Sequence, residues 1–374
     1  MTAHLLRVVF VNRYFHPDHS ATSQMVSDLA FHLAGRGWEV GAITSRQRYD
    51  DPKARLAPRE RVGGVDVRRV GSTRFGRASL VGRAFDYATF YLSALLAMRR
   101  ERGAVIVALT DPPLLSVAAA LASRRVVNWT QDVFPEVATA LGLRAPGLLR
   151  RLRDWSLRRA RANVVLSEGM ARRLGAPRSV VRPNWADAAL RPLPRAAADR
   201  FVVAYSGNLG RAHEFETVIG AMRELPEISF VFTGAGAQLE TVKRAGLANV
   251  KFRPYAPREQ LGESLSAADA HLVTLRPQLD GLIVPSKLYG IMAVGRPAIF
   301  VGAGELADFV REQRIGVAVA PGDVGGLARA IRALAADRKA AEEMGRRGRG
   351  LYEEQFAPEV ALAHWEEILR EASR

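Results

Sequence analysis

Runs of strand length and stretches of helical spacing alternate along this chain, stop once, and start again. That pattern constrains the fold more than any other feature. The mostly apolar run at 5–12 (L-L-R-V-V-F-V-N) reads as a strand, followed by the polar loop Arg13 to Gln24. Met25, Val26, Leu29, Ala30 and Leu33 then recur at the spacing of one helix face, Gly35 and Gly37 end the helix, and Trp38 to Thr44 reads as a second strand. This is a strand-helix-strand opening. Strands at Gly64–Val70, Val105–Leu109, Val126–Asp132 and Asn163–Ser167, with helices at Ser79–Arg100 and Leu114–Ala122, continue the series, and 180–182 leads into Pro183 and Asn184. The polar, Pro-containing, Ala-rich stretch Ala186 to Asp199 interrupts it and reads as a linker. The pattern restarts at Phe201–Tyr205, and strands at 228–233, 250–252, 270–275, 298–301 and 316–319 follow. The expectation is two α/β domains in series, residues 1–185 and 200–355, joined by 186–199. Gly345 to Gly350 is expected to break the C-terminal helical region, and a final helix within 356–374 to pack back on the first domain.

A length of 374 residues exceeds one ordinary core and suits two. With no cysteine, neither a disulfide framework nor a thiolate metal site is available. The seven histidines form no acid-rich cluster and no H-E-x-x-H, so no protein-held metal is expected. Met1 to Arg7 runs straight into V-V-F-V, and no run of 18 apolar residues occurs elsewhere. This predicts a cytoplasmic protein without a signal peptide or membrane span. The first strand is not followed by G-x-G-x-x-G, which leaves a dinucleotide cofactor unsupported.

The stretch Asp280 to Pro297, D-G-L-I-V-P-S-K-L-Y-G-I-M-A-V-G-R-P, reads as a loop feeding a helix. A Ser and a Lys at a helix start can hold a phosphate. Lysine is scarce, with five residues among 54 basic ones, so Lys287 is a compact charge in a chain that otherwise uses arginine. Gly207 and Gly210 in S-G-N-L-G-R let backbone N–H groups approach an anion, Arg211 adds charge, and Gly234 and Gly236 keep a second strand end free of side chains. Taken alone, Gly207 to Gly210 reads equally as an ordinary turn; with Pro285 to Lys287 it points to a diphosphate.

The order of Y-S-G-N-L-G, F-T-G-A-G, P-S-K-L-Y-x-I-M-A-x-G-x-P and G-x-x-V-A-P-G-D resembles the GT-B-fold glycosyltransferases, and within them the retaining family 4. With T-Q-D-V-F-P-E and R-P-N-W in the first half, the wording is most similar to the branch that builds bacterial O-antigen, capsule, lipopolysaccharide and exopolysaccharide repeat units. The resemblance implies two Rossmann-like, doubly wound domains facing across a cleft. It implies a retaining, metal-independent transfer of a sugar from a nucleotide-diphosphate donor, UDP-linked, to a glycan or polyprenyl-diphosphate-linked acceptor, with no cofactor. By the same resemblance Gly207, Asn208, Arg211, Ser286, Lys287 and Leu288 match the diphosphate positions, and Arg253, Pro254 and Tyr255 the nucleobase. Asp280 matches the acid near the donor sugar; Gln131 and Asp132 match the strand end facing the reacting carbon. In the other reading Asp132 only caps the following turn. The family's second glutamate, a ribose ligand, is replaced by Gly290, and Glu305 is the nearest acid to substitute for it. The loop with His16, Asp18, His19 and Ser20 lacks the paired glycines common in the family.

The net charge of +16 calls for an anionic partner. Between Arg144 and Arg161 seven arginines stand against one acid, Asp154, with leucines and Trp155 interleaved. This reads as a basic amphipathic helix suited to anionic lipid, and Leu148, Leu152 and Trp155 fall on one face. The competing role for that face is packing against the first domain. Two other readings of the whole chain stay open: a nucleotide-sugar epimerase of the same fold, and a non-catalytic basic module on membrane or nucleic acid. The basic residues are scattered and no aromatic stacking pattern interleaves them, which disfavours nucleic acid.

Overall fold

The computed structural model describes residues 6–49, 51, 53–75, 80–195 and 199–374. Met1 to Leu5, Ser79 at the head of an expected helix, and Ala196 to Ala198 of the expected linker lie outside them. The chain divides into two compact units, Met1–Pro183 with Leu362–Arg374, and Asn184–Ala361.

The first unit runs β1 (Arg7–Val11), α1 (Ala21–Gly35), β2 (Glu39–Ser45), β3 (Arg59–Val62), β4 (Val65–Val70), α2 (Leu80–Met98), β5 (Val105–Ala108), α3 (Leu115–Ala122), β6 (Val126–Trp129), α4 (Glu136–Ala140), α5 (Gly147–Arg159), β7 (Ala162–Val165), α6 (Glu168–Leu174) and β8 (Ser179–Val181). Its eight strands lie in the order β3-β4-β2-β1-β5-β6-β7-β8. All pairs are parallel except β3 with β4. Strands such as V-I-V-A in β5 are buried throughout, as a sheet covered on both faces requires. Strand β3 was not anticipated because R-E-R-V lacks an apolar pattern. It is an edge strand, held by a two-residue turn in which Gly63 and Gly64 both have positive φ, +56° and +80°.

The second unit runs β9 (Val202–Ser206), α7 (Glu216–Glu224), β10 (Ser229–Thr233), α8 (Leu239–Lys243), β11 (Val250–Arg253), α9 (Leu261–Ser266), β12 (Ala270–Thr274), α10 (Lys287–Ala293), β13 (Ala298–Val301), α11 (Glu305–Glu312), β14 (Gly316–Val319), α12 (Val324–Ala336) and α13 (Arg338–Leu351). Its six strands are all parallel, in the doubly wound order β11-β10-β9-β12-β13-β14. Tyr205, Phe215, Phe230 and Phe232 are fully buried at its centre. The last helix, α14 (Pro358–Ser373), belongs to the first unit from Leu362 onward. There Trp365 packs against Trp129 with ring centroids 4.4 Å apart and the rings tilted by 50°, and Glu366 meets His32 at 2.9 Å.

Two expectations need correction. The stretch from Asn184 to Arg195 is not a free linker but part of the second unit. Trp185 and Leu190 are buried, Arg258 pairs with Asp187 at 2.5 Å, and Arg296 and Arg349 donate to the Leu193 and Leu190 carbonyls. Composition misled here, because the polar residues are tied to partners far along the chain. Nor do the glycines at 345–350 break the helix, for α13 runs through them to Leu351. They permit close approach: a Cβ at Gly345 would lie 2.1 Å from the Gly295 carbonyl oxygen. Among the described residues no helix is long and apolar enough to cross a membrane.

Candidate active site

In the second unit the loops after β9 and β10 interlock at the carboxyl edge of the sheet. Gly207 N donates to the Thr233 carbonyl (2.9 Å), Leu209 N to Ala235 (2.8 Å) and Gln238 N to Leu209 (2.9 Å). The Gln238 amide reaches back to the Gly210 and His213 carbonyls at 2.8 and 2.7 Å, and Arg276 N takes the Ala212 carbonyl at 3.0 Å. Three glycines make this interlock possible. Gly234, with φ +134°, packs so tightly that a Cβ would lie 2.1 Å from the Gly207 carbonyl oxygen. Gly207, with φ +123°, carries the stem of Lys287 across its open side, and a Cβ would sit 2.8 Å from Lys287 Cε. Gly236 likewise leaves its space to Leu209 and Asn208, so Gly234 and Gly236 serve loop-on-loop contact.

Lys287 is the first residue of α10, half-buried, with its ammonium 5.0 Å from the centroid of the Tyr205 ring. Its Nζ lies 3.3 Å from His213 Nε2. The tautomer follows from the other nitrogen: His213 Nδ1 is 2.8 Å from the Thr274 carbonyl, which can only accept, so Nδ1 bears the proton and Nε2 accepts from Lys287. Burial first, then the Lys287 charge, push His213 down to about 4, which keeps the imidazole neutral at pH 7. Burial lowers Lys287 to about 8. Among the described residues no carboxylate pairs with this ammonium. A cation so placed has exchanged water for a neutral imidazole and a ring face, and it gains from an anion that brings its own charge.

Around Lys287 the expected residues take different places. Asn208 and Arg211 are exposed on the β9 loop, and Ser286 is exposed with no cap bond from its hydroxyl to α10. Arg253, Pro254 and Tyr255 are exposed after β11, the Tyr255 hydroxyl donating to the Ala235 carbonyl at 3.4 Å. The Tyr255 ring borders the Gly234 loop, 3.2 Å from where a Cβ there would be. Leu288 does not contribute its side chain: it is a core residue, and its N–H is bonded to the Pro285 carbonyl at 3.3 Å. Asp280 approaches the N-terminus of α11, where a Cβ at Gly304 would fall 2.0 Å from its Oδ2, and Glu305 is the next residue. Gly290 faces Leu265 and Leu190 instead, 3.6 and 3.8 Å from its missing Cβ.

In the first unit β6 ends at Trp129, so Gln131 and Asp132 lie in the loop beyond it rather than on the strand. Gln131 is buried, its N–H donating to Thr110 Oγ1 at 3.3 Å. Asp132 is exposed, and the bond to the following turn is made by its carbonyl, which takes the Phe134 N–H at 3.1 Å. Crowding by protein atoms, then the Asp111 carboxylate, raise the Asp132 carboxyl to about 6; its open side to water makes the effect smaller than full burial would. Beneath this edge lies a buried polar frame that sequence reasoning missed. Arg13 lies between the Tyr14 and Tyr87 rings (5.4 and 5.1 Å), bonds Gln47 at 3.0 Å and meets the buried Asp86 at 3.5 Å. Asp18 in the first loop is a structural acceptor, taking the Ser20 and Tyr49 N–H groups at 2.8 and 2.5 Å. Among the described residues no group of three or more His, Asp and Glu is gathered as a metal site would require.

Comparison with known proteins agrees with this architecture. Residues 189–351 match the model of the glycosyl transferases group 1, and residues 20–186 that of the glycosyl transferase 4-like domain. The chain is 31% identical over 282 residues to the probable glycosyltransferase WbjE of Pseudomonas aeruginosa, covering 67% of this chain and 70% of that one. It is 24% identical over 337 residues to WcaI of Escherichia coli (strain K12), named for glycosyl transfer in colanic acid biosynthesis, covering 79% and 83%. Among solved structures, Anabaena HepE in complex with UDP-glucose superposes with a TM-score of 0.72 at 15% identity, over 98% of this chain and 99% of that one. With both halves matched and the doubly wound sheets in order, the chain belongs to the group 1, 4-like glycosyltransferases of GT-B fold.

Proposed function

We propose that this protein moves a sugar from a UDP-linked donor to a hydroxyl of a glycan or polyprenyl-diphosphate-linked acceptor in bacterial surface-polysaccharide assembly, with retention and without a metal ion. The observation that carries the reading is Lys287: a half-buried ammonium held by neutral His213, laid across Gly207 and paired with no carboxylate among the described residues. The diphosphate lies against Lys287, Arg211, Ser286 and the Gly207–Asn208 backbone. Fixed cations and N–H dipoles stabilise the leaving group as its charge develops. Tyr255 is the platform for the base beside Arg253 and Pro254, and Glu305 and Asp280 hold ribose and donor sugar. The names of HepE's ligand and of WcaI's pathway support the donor and the product class.

Gln131 and Asp132 face the acceptor in this reading. As the family resemblance implies, the acceptor hydroxyl attacks on the face the diphosphate leaves, and the leaving phosphate oxygen takes the proton, so no dedicated protein base is required. The test is product analysis by NMR with UDP-sugar and acceptor in excess chelator. An α-configured product from an α-linked donor, formed at an undiminished rate, is expected. An inverted product, loss of activity restored by magnesium, or donor conversion without acceptor would contradict the reading.

A further inference from the structure

Helices α2, α3 and α5 pack side by side on the first sheet, α2 on α3 and α3 on α5. Their outward surface is unlike the rest of the molecule. Along α2 the outward positions are Val81, Ala84, Phe85, Ala88, Leu92 and Leu96, and the next two are Arg99 and Arg100. Val81, Phe85, Leu92 and Leu96 are each 51–67% exposed. The helix is thus apolar outside as well as inside, where a surface helix would carry polar residues.

Helix α5 is inverted in the same sense. Leu148 and Leu152 point outward, with Trp155 under the Arg159 guanidinium at 5.2 Å. Facing inward instead is Arg153, bonded to Glu136 at 2.6 and 3.0 Å and to the Phe134 carbonyl at 3.1 Å. Leu121 of α3 is exposed between them. Apart from Tyr49 and Tyr255, the large exposed apolar residues of the described chain all lie on this helical layer or just before it. The acids of α2 and α5 are withdrawn, Asp86 to Arg13 and Asp154 to Arg153, while Arg99, Arg100, Arg151, Arg158 and Arg159 stay exposed.

We propose that this three-helix layer docks the protein onto an anionic lipid bilayer, with the α2 stripe entering the interface and the arginines engaging headgroups. An apolar strip bordered by cations and cleared of acids has the composition of an interfacial surface. Charge selects this occupant over a second copy, since two chains of +16 each would bring like-charged arginine rims together. The inference does not depend on the transferase reading, because its test needs no turnover.

The intact protein is sedimented with phosphatidylglycerol–phosphatidylcholine vesicles and with pure phosphatidylcholine vesicles. Binding to the anionic vesicles alone, weakening as salt rises, is expected. Leu92→Glu with Leu96→Glu, and separately Arg99→Glu with Arg100→Glu, should each lower the partition at least tenfold. Both pairs are exposed, so the melting temperature should hold near wild type. Equal binding to both vesicle types, or none to either, would overturn the proposal. So would a dimer in sedimentation velocity that Leu92→Glu dissolves, which would make the face a contact between copies.

Discussion

Lys287 and His213 are 74 residues apart, and their contact shows how far a sequence can be read at the level of single side chains. Lys287 was legible because lysine is scarce here and sits after Pro-Ser at a helix start. His213 was not, since its part depends on the Thr274 carbonyl fixing the tautomer from a strand 61 residues away. Arg13 and Asp86 escaped for the same reason: a buried pair across long separation leaves no local pattern. His213→Leu should weaken UDP binding by about 1 kcal/mol, a net hydrogen bond's worth, by freeing the ammonium from its aim. It should also leave the Thr274 carbonyl without its imidazole partner at a stability cost of about 1–3 kcal/mol. His213→Gln, which keeps an acceptor, should retain more of the binding. Calorimetry with UDP and chemical denaturation of the three proteins separate the two effects. Equal affinity in all three would remove His213 from the site.

Among the elements, α5 shows where periodicity misleads. Leu148, Leu152 and Trp155 mark one face correctly, but spacing alone cannot say whether that face turns in or out. The alternative of packing against the first unit fails because Arg153, Ser156 and Leu157 are the buried residues. An arginine on an inward face reads as an error until Glu136, 17 residues earlier, is seen to meet it. The short helix carrying Glu136 was itself missed. Most strands, by contrast, were legible to within one or two residues, because fully buried parallel strands are continuous apolar runs that few other elements imitate; the edge strands β3 and β8 were not read, and β6 stops three residues short of its expected end. Arg153→Met should destabilise the protein by about 1–3 kcal/mol, since Glu136 is partly exposed and keeps Arg150 at 3.4 Å. Adding Glu136→Met should recover much of that loss, because the pair is then replaced rather than broken. Urea denaturation of the single and double variants checks this; additive losses would mean the two side chains are not coupled.

For the whole molecule, the two-unit plan follows from the repeated alternation and the doubly wound sheets were implied by the family resemblance, whereas the boundary follows from neither. Arginines at 258, 296 and 349 fasten the Pro- and Ala-rich segment after Asn184 to the second unit, and composition could not report those ties. Nor could it report that the chain returns to the first unit at Leu362, where Trp365 finds Trp129. In the reading proposed above, the Asn184–Ala361 unit receives a nucleoside diphosphate on Lys287. Its pH dependence has a definite sign. Burial lowers the free ammonium to about 8 and the diphosphate favours its charged form, so affinity should be full below that pH and fall as pH rises through it. The most direct measurement is calorimetric titration of UDP into the intact protein and Lys287→Ala at pH 7 and pH 9. Wild-type affinity should be tighter at pH 7, with a loss of about 1.5–3 kcal/mol in the variant at pH 7 that shrinks at pH 9. Equal affinities for the two proteins at pH 7 would contradict it.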